Sequence, residues 1–281
     1  MKSKVFISSS CSVEDPSKDI GVFYNEITFN DMECYQNVKD LDFEDFIYRM
    51  KLDKEAKPKI RLCPKETVVD QLNLELENKV DFFLFIIPSE EMSHFKPIID
   101  EFFKEIKLKY VIYPVSSESY PLYYMAVEAN VMLKRDMKIE EIIEALDFID
   151  GNNGIYLYSP AKDKLPGIEK YSYDDELLKI TEDGSHFYII KSDIVATSRL
   201  KVKQKTIEGY IERFKEDIND KEVLPFLIYT DIQSKYVTLF TKVLSGIFPK
   251  MKKPKLVLAS PSFVLKYGIN CCGVGYVVKE K

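Results

Sequence analysis

The chain has 281 residues, 46% hydrophobic and 31% charged, with 40 basic against 46 acidic side chains and a net charge of -6. That length and apolar content suit one large or two modest folded domains with a sizeable core, and they exclude disorder as a description of the whole. The acidic balance speaks against a non-specific nucleic-acid binder, and no run of about 18 apolar residues is present to form a transmembrane helix. The N-terminus runs from Met1-Lys2-Ser3-Lys4 into Val5-Phe6-Ile7 and then polar sequence. It lacks the apolar segment of a signal peptide, which points to a cytoplasmic protein.

The first predicted strand is Val5–Ser8, running into the small polar loop Ser9-Ser10-Cys11-Ser12. A buried strand ending in such a loop is typical of the carboxyl edge of a parallel sheet, where ligands bind. An alternating stretch follows at Gly21–Phe29, then a short strand at Glu33–Tyr35. Asp42–Met50 spaces Phe43, Phe46 and Ile47 on one helical face, and Lys51–Lys59 is charged and loop-like. Pro64 suits a first helical turn, with the helix continuing over Glu66–Glu77. From there strands and helices alternate: strand Val80–Ile87, helix Glu91–Ile106, strand Lys109–Val115, helices Tyr120–Arg135 and Ile139–Ile149. This alternation argues for a parallel sheet with both faces covered.

Asp150-Gly151-Asn152-Asn153-Gly154 interrupts the pattern and is the predicted domain boundary, giving lobes 1–150 and 151–281. The second lobe opens with strand Ile155–Tyr158, and Glu176–Ile180 with His186–Lys191 reads as a hairpin. Helix Lys205–Ile218, strand Leu224–Thr230, helix Ser234–Ile247, strand Leu256–Ala259, short helix Ser260–Tyr267 and strand Gly273–Val278 complete it. The expectation is an α/β chain of two lobes: an N-terminal parallel-sheet α/β lobe and a C-terminal α+β lobe with a mixed sheet.

No recognised catalytic signature is present. There is no P-loop, no strand-linked GxGxxG, no GxSxG and no HExxH. The five cysteines, Cys11, Cys34, Cys63, Cys271 and Cys272, include no CxxC. Together with two histidines they do not make a zinc pattern, so reduced thiols in a core and no metal are expected. Lysines far outnumber the five arginines, Arg49, Arg61, Arg135, Arg199 and Arg213, so each Arg merits a specific explanation. The many Phe and Tyr residues are read as core or as the lining of an apolar cavity, which sequence alone does not separate.

Several segments, taken together, follow the pattern of a single known family. The loop Ser9-Ser10-Cys11-Ser12-Val13 is similar to the family's opening Asp-Ser-Ser/Thr-Ala-Asp, without its acids. Tyr35-Gln36-Asn37-Val38-Lys39-Asp40-Leu41, followed by Phe46, resembles Tyr-Arg-Asp-Gly-x-Asp-Ile and its Phe-bearing helix. Pro58-Lys59-Ile60-Arg61-Leu62-Cys63-Pro64 parallels Pro-x-Thr-Ser-Gln-Pro, with Arg61 where the Thr belongs. Pro88-Ser89-Glu90-Glu91-Met92-Ser93-His94-Phe95 stands at Ser-Ser-Gly-Leu-Ser-Gly-Thr-Tyr, where the lipid-contacting Ser maps to Met92 or, with a one-residue slip, Ser93. The tail from Pro261 to Tyr276 keeps the family's length and its last glycines, Gly273 and Gly275, with Lys266 where the family has a His.

These segments resemble those of the DegV family, bacterial two-domain fatty-acid-binding proteins, and the resemblance implies a long-chain fatty acid or related acyl lipid held in an apolar tunnel between the lobes, its carboxylate bound by basic and hydroxyl groups. The implied lipid-binding residues are Arg61, Lys266, Ser10, Ser93, His94 and Met92, with no cofactor and no reaction carried by the chain. A fatty acid kinase subunit is the implied protein partner. The family's Leu-x-x-Gly-Gly-Arg-Ile segment here reads Lys164-Leu165-Pro166-Gly167-Ile168-Glu169, which lacks the Arg and puts that partnership in question. In an alternative reading of the site, Arg61 and Lys266 are surface residues or pair with Glu90 and Glu91. Two other classes stay open: an interaction module whose lipid site is lost, and a small-molecule enzyme using Cys63 or Ser10. For Cys63, the helix start just after it would favour a thiolate.

Overall fold

The structure is a computed structural model that describes residues 2–13, 16–29, 33–36, 40–52, 58–159, 186–191, 194–199, 204–231, 233–250 and 254–279. It divides into two compact units, one of Met1–Asp150 with Ser260–Ser262 and one of Gly151–Ala259 with Phe263–Lys281.

The first unit is built on four parallel strands, β1 (Ser3–Ser8), β2 (Ile20–Phe23), β6 (Phe82–Pro88) and β7 (Lys109–Val115), in the order β2-β1-β6-β7. Every residue of β6 is buried, as its unbroken apolar run requires of a central strand covered on both faces. Because side chains alternate along a strand, Phe83 and Phe85 share a face with Phe6 of β1 and Phe23 of β2. Their rings stack, Phe6 on Phe23 at 4.9 Å between centroids and Phe23 on Phe95 of the covering helix at 5.3 Å. Phe103 closes the stack against Phe83 at 5.2 Å. Such pairs add about 0.5–1.5 kcal/mol each beyond their burial.

Four helices accompany these strands: α2 (Lys65–Glu77) ahead of β6, α3 (Met92–Phe103) after it, and α4 (Ser119–Lys134) and α5 (Ile139–Gly151) after β7. Val68 and Leu72 of α2 join the phenylalanine core, as do Phe95, Ile98, Ile99 and Phe103 of α3. Helix α4 packs along β1 and β2, and Leu122, Met125, Ala126 and Ala129 are among its buried residues.

A small antiparallel sheet of order β4-β3-β5 lies within the same unit, with β3 at Glu26–Phe29, β4 at Glu33–Gln36 and β5 at Pro58–Arg61. Helix α1 (Phe43–Leu52) buries Phe46 against Phe29. Two expectations are corrected here. The stretch Gly21–Phe29 is two strands in different sheets, separated at Tyr24-Asn25, where Asn25 turns a fully buried side chain inward. The loop expected to run to Lys59 gives way to strand at Pro58, because β5 is held by ladder bonds to β3 rather than by an apolar face.

The second unit holds a six-stranded mixed sheet of order β10-β9-β8-β13-β11-β12. Its strands are β8 (Asn153–Ser159), β9 (His186–Lys191), β10 (Ile194–Arg199), β11 (Val223–Tyr229), β12 (Lys255–Leu258) and β13 (Cys272–Val278). Only β11 and β12 run parallel; the other neighbours are antiparallel. Tyr156, Tyr158, Val274 and Tyr276 face α6 (Gln204–Ile218) and α7 (Lys235–Ile247), which contribute Tyr210, Phe214, Val237, Phe240 and Leu244 to one core. A short helix α8 (Pro261–Tyr267) precedes β13. The expected strand Glu176–Ile180 lies outside the described residues; β9 pairs antiparallel with β10 on one side and β8 on the other. The two-lobe α/β reading agrees with this architecture: a parallel sheet first, a mixed sheet second.

Candidate functional site

All four strands of the first sheet are parallel, so the loops after β1, β2, β6 and β7 emerge at one edge. Each carries small polar or acidic residues: Ser9 and Ser10, Asn25, Ser89 and Glu91, Ser116 and Ser117. The chain passes from β1 outward to β2 on one side and returns to β6 on the other. The β1–β6 gap is therefore the topological switch point, the place where open parallel sheets hold their ligands.

Side chains from both flanks of that gap meet directly. Ser10 Oγ donates to Glu91 Oε1 at 2.7 Å, and Asn25 Nδ2 donates to the same oxygen at 3.2 Å. Asn25 is also fixed at two further polar groups. Its backbone N–H donates to Ser9 Oγ at 2.9 Å, and its Oδ1 accepts the Cys63 N–H at 3.1 Å. The Cys63 carbonyl in turn accepts from His94 Nε2 at 2.8 Å. In a neutral ring this leaves Nδ1 as an acceptor. The local fold explains the assembly: a 3-10 turn at Ser9–Cys11, begun by Ser8 Oγ accepting the Ser10 N–H, and a second at Ser89–Glu91 leading into α3. Glu91 is 4% exposed. A carboxylate so buried needs the donors it receives.

The neighbouring loop after β7 is held the same way. Asp150, at the end of α5, accepts the Ser116 N–H at 3.0 Å, the Ser117 N–H at 2.9 Å and the Ser117 hydroxyl at 2.5 Å. Ser89 Oγ donates to the Val115 carbonyl at 3.0 Å, tying the β6 loop to the end of β7. Ser12 Oγ meets Ser260 Oγ at 3.2 Å and accepts the Ser260 N–H, within the same unit.

Of the residues expected from sequence, Ser10 and His94 belong to this connected cluster. Met92 opens α3 and packs partly buried against the phenylalanine core, and Ser93 is exposed one residue later. Arg61 ends β5 as the register partner of Glu26, with Nε 3.7 Å from Glu26 Oε2 and a side chain 68% exposed. Lys266 lies on α8 in the second unit, half-buried. Glu91 and Asn25 were not singled out as site residues; the one hint was an acidic pair, Glu90-Glu91, directly after an unbroken apolar strand. The thiolate that the enzyme alternative asks of Cys63 is not favoured, and the buried, protonated thiol read from the cysteine pattern is what the structure gives. Burial pushes it up to about 12, and the Glu26 and Glu91 charges act in the same direction. Cys11 is likewise pushed up to about 12, chiefly by burial. Among the described residues no group of three or more His, Cys, Asp or Glu is placed to hold a metal ion. No helix there is long and apolar enough to cross a membrane.

The family model described as "Uncharacterised protein, DegV family" matches residues 2–165, more than half of the chain. The chain belongs to the DegV family. Solved structures extend the likeness over the whole length. A stearic acid-binding protein from Eubacterium ventriosum superposes with a TM-score of 0.82 at 14% identity, covering 99% of each chain. The fatty acid-binding DegV of Bacillus subtilis gives 0.76 at 16% identity, over 99% of this chain and 100% of its own. A Thermotoga maritima protein with fatty acid binding function gives 0.77 at 18% identity, over 99% and 100%. At these identities they establish the DegV fold. No curated protein matches the chain.

Proposed function

We propose that this DegV family chain is a cytoplasmic binding protein for a long-chain fatty acid or closely related acyl lipid and carries out no chemistry on it. The observation that supports this most is the convergence of Ser10, Asn25, Glu91 and His94 at the switch point of the parallel sheet. A polar cluster beside an apolar sheet suits an acyl lipid's head, and similar solved proteins are described as binding stearic acid or as loaded with heptadecanoic acid. An apolar channel for the tail, and a head group met by basic and hydroxyl side chains including Lys266, belong to the same proposal. The tail supplies most of the affinity, at about 0.8 kcal/mol per buried CH₂. Phosphorylation of the bound acyl group, where it occurs, falls to a separate kinase subunit.

Native mass spectrometry of the protein purified from a bacterial host, followed by denaturing extraction, tests the reading. The expected result is an excess mass of one acyl lipid, released on denaturation. A bare mass that stays bare after incubation with several long-chain acids, alcohols and amides overturns it.

A further inference from the structure

A cavity of about 200 Å³ lies in the second unit, lined by Asp231, Ser234, Lys235, Tyr236 and Asn270. We propose that it binds a small zwitterion of the amino-acid type, with the ammonium group at Asp231 and the carboxylate at Lys235 and Asn270. None of these residues belongs to the switch-point cluster of the first unit, and the inference does not rest on the acyl-lipid reading.

The fold brings the five residues together. β11 and β12 are the parallel pair of the second sheet and are joined through α7. Ligands of parallel crossovers lie outside the carboxyl ends of the strands. Asp231 and Ser234 stand in the loop between β11 and α7, and Asn270 in the loop ahead of β13. Thr230 ties these loops to each other: its N–H and its hydroxyl both donate to the Cys271 carbonyl at 3.2 Å. Asp231 follows Thr230 and Asn270 precedes Cys271, so the same bonds carry both side chains to the cavity.

Local turns fix the lining without consuming its polar groups. Asp231 Oδ1 accepts the Gln233 N–H at 2.9 Å, and the Asp231 carbonyl accepts the Ser234 N–H at 3.1 Å. Ser234 Oγ accepts the Tyr236 N–H at 3.3 Å. The Tyr236 hydroxyl accepts from that of Tyr158 at 3.0 Å, which leaves its own O–H to donate. Lys235 Nζ stands 5.1 Å from the centre of the Tyr236 ring. Among the described residues, Asp231 and Lys235 form no ion pair with each other or with another side chain, and the Asn270 amide makes no hydrogen bond.

Two opposite charges that line one cavity and leave each other unpaired are complemented by a ligand carrying the opposite pair. A lone anion is attracted by Lys235 and repelled by Asp231, and a lone cation meets the reverse. A zwitterion satisfies both charges, and its carboxylate also takes the Asn270 N–H and hydroxyl protons. Size narrows the class further. The cavity has the room of roughly six or seven waters at about 30 Å³ each, below the range of about 300–1,000 Å³ of drug-sized sites. A ligand of a few heavy atoms fits such a space and a long acyl chain does not.

Nuclear magnetic resonance of the labelled full chain tests this. Glycine, β-alanine and L-serine are titrated separately, with acetate, methylammonium and inorganic phosphate as singly featured controls. At least one zwitterion should shift the Asn270 side-chain amide and the Lys235 and Tyr236 backbone amides in a saturable way, and each control should bind about tenfold more weakly or worse. Asp231→Asn, which keeps the acceptor for the Gln233 N–H, and Lys235→Gln should each weaken the zwitterion by about tenfold, with thermal melts recorded to confirm folding. No saturable shift from any zwitterion up to about 50 mM overturns the proposal. Acetate or phosphate binding as tightly reduces the site to an anion site, methylammonium binding as tightly reduces it to a cation site, and either result overturns the proposal. Unchanged zwitterion binding in both folded variants does so as well. Should a variant fail to fold, the comparison of ligands on the wild type decides.

Discussion

Phe226 of β11 and Gly275 of β13 are register partners on neighbouring antiparallel strands, and the Phe226 ring lies where a side chain on Gly275 would project. A Cβ there would sit 2.2 Å from Phe226 Cζ, and Phe226 is fully buried. Gly273, two residues earlier, stands against backbone instead: its Cβ would fall 2.1 Å from the Tyr156 carbonyl oxygen of β8. These two glycines of the family-like tail thus hold the centre of the second sheet together. Gly275→Ala is expected to destabilise the protein by about 1–3 kcal/mol through overpacking. Gly273→Ala should cost more, because a strand moves less readily than a ring. Urea unfolding checks both, and a Gly275→Ala midpoint equal to wild type would refute the contact.

Asn25 joins the loops after β1, β6 and β5 through three hydrogen bonds. Asn25→Ala would remove a donor from buried Glu91 and the acceptor of the buried Cys63 N–H. A loss of about 2–4 kcal/mol is expected, the cost of stranding two polar groups rather than of two ordinary hydrogen bonds. Amide exchange at Cys63 should accelerate in the same variant. Protection at that amide equal to wild type would show that the Asn25 bond does not hold it.

Cys11, Cys63 and Cys272 are each pushed up to about 12 by burial, from an ordinary value of 9.0. Burial also raises Tyr113 and Tyr276 above the usual phenol range. The unfolded thiols release protons above about pH 9 while the folded ones keep them, so the unfolded state binds fewer protons in that window. Stability is fully present below the ordinary thiol value and is lost as pH rises toward 12. Urea midpoints should fall between about pH 7.5 and about pH 10. At neutral pH Cys63 should resist alkylation until the protein unfolds, and labelling of native protein at the rate of an exposed thiol would contradict this.

Arg61 pairs with Glu26 at the edge of the small sheet, with most of its side chain in water. Ion pairs of this kind contribute about 1 kcal/mol or less. Arg61→Ala should therefore leave stability within that range while testing its assigned place at the lipid head. Reduced lipid occupancy in a protein of unchanged stability would support the assignment. Unchanged occupancy would leave Arg61 as a surface partner of Glu26.

The parallel sheet was readable from the sequence because its strands are nearly continuous apolar runs: Lys109–Val115 has the bounds that were expected, and Phe82–Pro88 differs by a residue or two. β5 was not readable, since an edge strand with exposed side chains is held by backbone bonds that leave no apolar pattern. The break at Asn25 was hidden for a related reason. Alternation carries across it, and only the buried amide marks the passage from one sheet to the other. At the site, Ser10 could be picked out as part of a serine cluster after a strand. Glu91 could not, because a glutamate ahead of a helix ordinarily reads as a solvated partner of the helix dipole. Its burial depends on Ser10 and Asn25, which are 81 and 66 positions away in sequence.

The phenylalanine stack of the first unit has a spectroscopic consequence. The chain contains no tryptophan. Phe6, Phe23, Phe83, Phe85 and Phe95 lie close enough for their ring transitions to couple. The second unit packs Tyr156, Tyr158, Tyr210 and Tyr276 into its core together with Phe214 and Phe240. Near-ultraviolet dichroism in the phenylalanine region therefore carries the first unit's stacked rings along with the fewer phenylalanines of the second core. A tryptophan introduced at Phe240 would be the sole indole and would follow the second. One heating experiment read at both bands then tells whether the molecule comes apart in one cooperative step or in two.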